Sequence, residues 1–211
     1  ASHSITIREP LFYGETVIEG VESKVYWVKG TPADCVKLAF EKILEHKVDF
    51  VISGINDGYN LGTDVLYSGT VSAAIEGSLY EVPSIAISTD FRANKYDYLK
   101  TAKYVNKILN NVIDKNMGKN IVINVNVPLL PEDQIKGIKI CRIGERRYTN
   151  VYAEKITEEG ERSYVLAGDL IDEEADDTDV YQLGKGYVTI TPLHYDLTNF
   201  GLLQQVSRWF E

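Results

Sequence analysis

Asn56, Asp57, Asn60 and Asp64 are followed within a few residues by Ser68-Gly69-Thr70, all inside the stretch Val51–Pro83. The stretch opens as an apolar run, VISG, and closes as a helical pattern, VSAAIEGSLYE. A strand, an oxygen-rich loop and then a helix N-terminus is how α/β folds hold a ligand at the strand ends. The first turn of a helix has amide donors without intrahelical partners and carries partial positive charge, so Ser68-Gly69-Thr70 is suited to an anion such as phosphate. Gly69 lets a ligand approach the backbone, and the hydroxyls of Ser68 and Thr70 add donors. The simpler reading is that Ser68 or Thr70 caps its own helix. The amide oxygen of Asn56 suits a hard cation such as Mg²⁺ or Mn²⁺, but it is a weak ligand without carboxylates beside it. Taken singly, Asn56 and Asn60 read more readily as turn residues.

Other chemistries find less support. His3, His46 and His194 are isolated, and neither a GxSxG nucleophile elbow nor a GxGxxG dinucleotide fingerprint occurs. Cys35 and Cys141 are far apart and lack metal-type spacing, which reads as free thiols in a reducing cytoplasm. Asp169–Asp179 holds seven carboxylates in eleven residues. A solvated face is the ordinary meaning of such a block, with a metal site as the alternative. The formal net charge of −9 excludes a general nucleic-acid polymer surface but leaves room for a small phosphorylated substrate. No run approaches the roughly 18 apolar residues of a membrane span, and no signal-peptide pattern is present.

The elements that must position these residues read in order as follows. Ser4–Tyr13 and the run ending KVYWVKG within Glu15–Lys29 predict an antiparallel ribbon. Thr31 as N-cap, Pro32 at the first helical position and Asp34 start a helix that continues through CVKLAFEKILEH. A strand over Val48–Ser53, a helix over Val71–Tyr80 and a strand over Pro83–Ser88 make a βαβ unit. Tyr96–Lys115 predicts an amphipathic helix, and Ile121–Val127 a strand with alternating asparagines. The alternation implies a largely parallel α/β sheet. After Pro128 the texture changes: Ile138–Ile143, Tyr148–Ile156 and Arg162–Ala167 read as strands, the last two as a hairpin turning at Glu158–Glu161. Gly186–Thr191 is a further strand, and Leu202–Phe210 a terminal helix. The expected organisation is a core over 1–128, a hairpin or oligomerisation extension over 129–185, and a final strand and arm over 186–211.

Several segments resemble, in this order, the SurE family of metal-dependent nucleoside-monophosphate phosphatases. They are HSIT (3–6), GTPADCV (30–36), VISGINDGYNLGTDVLYSGTVSAAIEG (51–77), PSIAIS (83–88), INVNVP (123–128) and ITPLHYDLT (190–198). The resemblance covers essentially the whole chain. It implies a Rossmann-like α/β fold with a protruding hairpin and a C-terminal arm exchanged between subunits of a homodimer or homotetramer. The implied activity is hydrolysis of nucleoside 5′- and 3′-monophosphates with a divalent cation, Mg²⁺ or Mn²⁺. Asn56 is then a metal ligand, and Asn60, Ser68, Gly69 and Thr70 lie at the phosphate. The family's principal metal ligands are two aspartates of an Asn-Asp-Asp-Gly motif that this sequence lacks, and the one methionine is Met117. The expectation is an N-terminal truncation, with the catalytic carboxylates upstream of residue 1 and turnover impaired in this chain. The alternative is a catalytically silent nucleotide- or phosphate-binding module. Some relatives also carry a histidine four residues after the aspartate of DLT, where Asp196 is here followed by Phe200.

Overall fold

The computed structural model describes residues 3–112, 115, 120–149, 152–157 and 159–211. The chain opens with an antiparallel ribbon, β1 (Phe12–Thr16) and β2 (Val25–Lys29), with Phe12 opposite Lys29. The strand predicted from Ser4 begins only at Phe12. Pro10 has no N–H to offer a ladder, and Thr6 is drawn elsewhere, its N–H and hydroxyl donating to Asp34 at 2.8 and 2.6 Å.

Helix α1 (Pro32–Leu38) starts as predicted, in a capping box: the Asp34 N–H donates to Thr31 Oγ1, and the Thr31 N–H donates to Asp34 Oδ2 at 2.8 Å. Asp34 is buried, and burial raises a carboxyl pKa. The hydrogen bonds from Thr6 and Thr31 outweigh that effect and hold it below the ordinary value. Asp34→Ala is therefore expected to lower the unfolding free energy by about 2–3 kcal/mol at neutral pH, measured by urea denaturation. A depressed carboxylate stabilises the fold above its unfolded pKa and loses that contribution as the pH falls. The gap between wild type and variant should therefore close below about pH 4.

The helix predicted to reach His46 passes into a π-helical turn, Ala39–Ile43, and stops. There the Phe40 ring stacks on Tyr80 at 4.4 Å and Glu41 accepts from the Tyr80 hydroxyl at 2.8 Å. Tertiary contacts outweigh helix propensity at this end.

Three parallel strands follow: β3 (Val51–Asp57), β4 (Ser84–Thr89) and β5 (Val122–Asn126). Helix α2 (Gly69–Leu79) crosses from β3 to β4, and α3 (Lys95–Val112) from β4 to β5. Residues 113 and 114 of the predicted α3 lie outside the described residues. Because side chains alternate across a strand, Ile85, Ile87, Ile123 and Val125 pack with Val105 and Ile108 of α3. On the other face Ala86 and Val122 pack with Val71 and Ala74 of α2.

After β6 (Ile138–Ile140) comes an antiparallel arm. β7 (Arg146–Thr149) pairs with β10 (Asp169–Asp172), and β8 (Tyr152–Ile156) with β9 (Arg162–Leu166), both pairs in one common register. Residues 150, 151 and 158, within the predicted hairpin, lie outside the described residues. The acidic run is neither a solvated face throughout nor a metal cluster. Its first part is strand β10, Asp172 pairs with Arg146, and Glu173 and Asp177 both pair with Arg142. Asp179 is fully buried and begins a helix that the sequence reading missed, α4 (Asp179–Gly184).

Strand β11 (Val188–Leu193) then inserts antiparallel to β5 and parallel to β6, giving the order β3–β4–β5–β11–β6. The terminal helix, α5, is only Leu203–Ser207. Trp209 and Phe210 beyond it are largely exposed, and so short a helix gains little where its apolar side chains have nothing to pack on.

Candidate active site

Strand pairing sets Asn56 of β3 beside Ser88 of β4, Ser88 beside Asn126 of β5, and Asn126 beside Thr189 of β11. This is one transverse polar row near the C-terminal ends of the three parallel strands, the end where α/β sheets receive ligands. Behind it runs a second row of Ser53, Ala86, Asn124 and Thr191.

Asn60 sits against both rows. Its N–H donates to Asn126 Oδ1 at 2.9 Å, and its carbonyl accepts from Asn124 Nδ2 at 2.8 Å and Asn126 Nδ2 at 3.0 Å. Its side-chain Nδ2 donates to Ser88 Oγ at 2.6 Å. All four residues are buried, so the loop after β3 is pinned to the sheet by side chains rather than by a ladder. Ser88, Asn124 and Asn126 were not among the residues singled out from sequence. The signal that could have found them is the alternation in SIAIS and INVNV, where small or polar residues alternate with branched apolar ones in strands buried along their whole length. Asn124 Oδ1, Thr189 Oγ1 and Thr191 Oγ1 are buried without a hydrogen-bond partner among the described residues.

Asn56 reaches its place through an irregularity in β3. The register with β4 shifts between Ser53 and Asn56, and Gly54 has φ +128°, with any Cβ falling 2.4 Å from the Ile87 carbonyl oxygen. Only glycine fits there. Asn56 Nδ2 donates to the Gly58 carbonyl at 2.7 Å, which fixes the plane of the amide. The two nearby aspartates do not join it. Asp57 is exposed, burial and the Asp57 charge raise the pKa of Tyr98, and Asp64 is taken by Arg146 and Tyr148. Among the described residues no three His, Cys, Asp or Glu stand together as a metal set. A divalent cation needs several oxygen ligands that bring charge, so the donors present match it only through one neutral contact.

The anion side is better provided. Ser68 is the N-cap of α2 and accepts from the Val71 N–H at 3.1 Å, so the capping role is real. Its hydroxyl proton is still available to donate. The amides of Gly69 and Thr70 have no acceptor among the described residues, and no acidic residue stands in the first turn. A 3₁₀ segment of about two turns, Gly62–Tyr67, delivers the chain to Ser68. His3, an isolated residue in the sequence, places Nδ1 2.7 Å from the Leu66 carbonyl oxygen and so braces that segment. Asp196, by contrast, is engaged within its own turn, accepting from the Thr198 N–H at 2.9 Å.

A family model described as "Survival protein SurE" matches residues 1–150. A protein of Clostridium botulinum named 5′-nucleotidase SurE is 46% identical over 211 residues, 100% of this chain and 83% of its own length. One of the same name from Clostridium tetani is 49% identical over 209 residues, covering 99% of this chain and 84% of its own. The crystal structure of the SurE protein from Aquifex aeolicus superposes with a TM-score of 0.80 at 38% identity, over 99% of this chain and 83% of that one. Family model, relatives and fold agree, and the chain belongs to the SurE family.

Proposed function

We propose that this chain is a phosphomonoesterase acting on nucleoside 5′- and 3′-monophosphates, with its phosphate held at the N-terminus of α2. The observation that carries the reading is the pair of unpartnered amides, Gly69 and Thr70, at the positive end of α2. It is joined by near-half identity to proteins named 5′-nucleotidase SurE. In this reading Ser68, Gly69 and Thr70 donate to phosphate oxygens, and the second amide hydrogen of Asn60 reaches one of them. Donors already in position where charge grows on the phosphoryl group need no reorganisation during reaction. A divalent cation, Mg²⁺ or Mn²⁺, supplies Lewis-acid and water-activating chemistry when bound, with the Asn56 amide oxygen as one ligand.

The single neutral candidate metal ligand among the described residues favours a second reading: phosphate or nucleotide binding without turnover. Phosphate release and calorimetric binding, each measured with AMP in Mg²⁺, Mn²⁺ or chelator, separate the two. Release that requires the cation supports the hydrolase. Equal binding in chelator with no release supports the binding module, and neither binding nor release overturns both.

We also place the protein in the cytoplasm as a homodimer or homotetramer. Its cysteines are free, and no helix among the described residues is long and apolar enough to cross a membrane. The 194–211 segment leaves Leu197, Phe200, Trp209 and Phe210 largely exposed, an apolar surface that suits a second copy of the chain.

A further inference from the structure

The 3₁₀ segment that delivers Ser68 is fastened less to the sheet than to the root of the arm. Its first residue, Gly62, donates to Asp179 Oδ2 at 2.9 Å, and Asp179 Oδ1 accepts from Gly144 and Val180, both at 2.8 Å. Gly62 has φ +53°, and a Cβ there would fall 2.8 Å from the Gly144 carbonyl oxygen, so the two chain segments touch at backbone distance. The next residue, Thr63, donates its hydroxyl to the Arg146 carbonyl at 2.7 Å. The third, Asp64, receives the Tyr148 hydroxyl at 2.8 Å and Arg146 Nη1 at 3.3 Å on a single oxygen, Oδ2.

Arg146 is the centre of this junction. Its guanidinium is a fork on Asp172, with Nε to Oδ1 at 2.7 Å and Nη2 to Oδ2 at 2.9 Å, and its side chain is only 11% exposed. It therefore joins β7 to β10 and both strands to Asp64. A planar, bidentate guanidinium does this with fixed geometry, which an ammonium cannot reproduce.

We propose that Arg146 is a positioning residue for phosphate binding: with Tyr148, it uses the arm root to hold the Gly62–Tyr67 segment, through Asp64, where it presents Ser68 and the free amides of Gly69 and Thr70. The proposal rests on the phosphate reading of that helix terminus. It differs from a general stabilising role because, among the described residues, the hydrogen bonds of the fork go only to Asp172 and Asp64, while the first residue of the segment is held by separate bonds to Asp179, whose carboxyl feels the Arg146 charge without bonding to it.

The test uses the 211-residue chain, with inorganic phosphate and AMP as probes in calorimetry and amide hydrogen exchange as a readout that needs no ligand. Arg146→Ala should weaken phosphate and AMP binding by about tenfold and speed exchange over residues 62–71, leaving β4 and β5 protected. Millimolar guanidinium should restore much of the affinity to Arg146→Ala, a rescue that a general loss of stability would not give. Arg146→Lys should recover less, because it keeps the charge without the fork. Tyr148→Phe is a milder variant that removes one hydrogen bond and should move both readouts in the same direction by a smaller factor. Unchanged exchange over 62–71 and unchanged affinity in Arg146→Ala and Tyr148→Phe would overturn the proposal. A wild-type chain that binds neither probe would sink the phosphate reading, and with it the ligand half of this proposal. The exchange data would then decide whether Arg146 holds the segment at all.

Discussion

Thr70→Asp is expected to weaken phosphate and AMP binding by about a hundredfold or more while making the protein slightly more stable. Thr70 is the second residue of α2, its amide is free, and no acidic residue occupies the first turn. A carboxylate at that position neutralises the helix terminus from within, a favourable contact of about 0.3–1 kcal/mol. The same carboxylate meets an incoming phosphate as a like charge. At about 4 Å and an effective dielectric near 20, each pair of unit charges repels by about 4 kcal/mol, more than a hundredfold in affinity. Thr70→Val, which removes only the hydroxyl, should cost about tenfold or less. Calorimetry with phosphate and AMP, read beside thermal unfolding, checks both. A destabilised Thr70→Asp, or one that keeps its affinity, would show that the terminus is not an open anion site.

Asn126→Asp is the second large effect, and its sign should depend on pH. Asn126 is fully buried and clasps the Asn60 backbone at both ends, accepting from its N–H at 2.9 Å and donating to its carbonyl at 3.0 Å. Aspartate keeps the acceptor but turns the donor into a second acceptor facing a carbonyl, and brings a charge into a buried row. At neutral pH the expected loss is about 3–5 kcal/mol, the cost of an unpaired buried charge. Protonation restores a donor of nearly the same shape. The buried carboxyl of this variant binds its proton more tightly folded than unfolded, so its stability is present at low pH and lost as the pH rises. Urea midpoints should show Asn126→Asp recovering between about pH 7 and pH 5, a range where Asp34 in the wild type is still fully ionised. Asn126→Leu, which cannot supply either partner at any pH, should be destabilised throughout. Equal stability of Asn126→Asp at both pH values would remove Asn126 from its clasping role.

How much of this was written in the chain differs from element to element. Thr31-Pro32-Ala33-Asp34 specified its capping box locally, because both partners of each bond lie within four residues. The βαβ unit was legible for the same reason: hydrophobic period and turn residues are properties of short windows. Asn56, Asn60 and the Ser68–Thr70 turn could be nominated from residue type, since their chemistry follows from amide oxygens and helix ends. What the windows could not carry was partnership. Asn60 meets Asn124 and Asn126 across more than sixty residues, so its fixed backbone had no local signature. Asp64, a neighbour of Asn56 in sequence and a reasonable ligand by type, is claimed by Arg146 and Tyr148 from the arm. Asp179, which ends a run that reads as solvated charge, is fully buried against the amides of Gly62 and Gly144. Sequence alone determined which groups could act and roughly where each helix and strand begins. Only the tertiary structure decided which of those groups face one another, because burial and strand register, not residue type, decide whether a carboxylate meets a ligand, an arginine or a backbone amide.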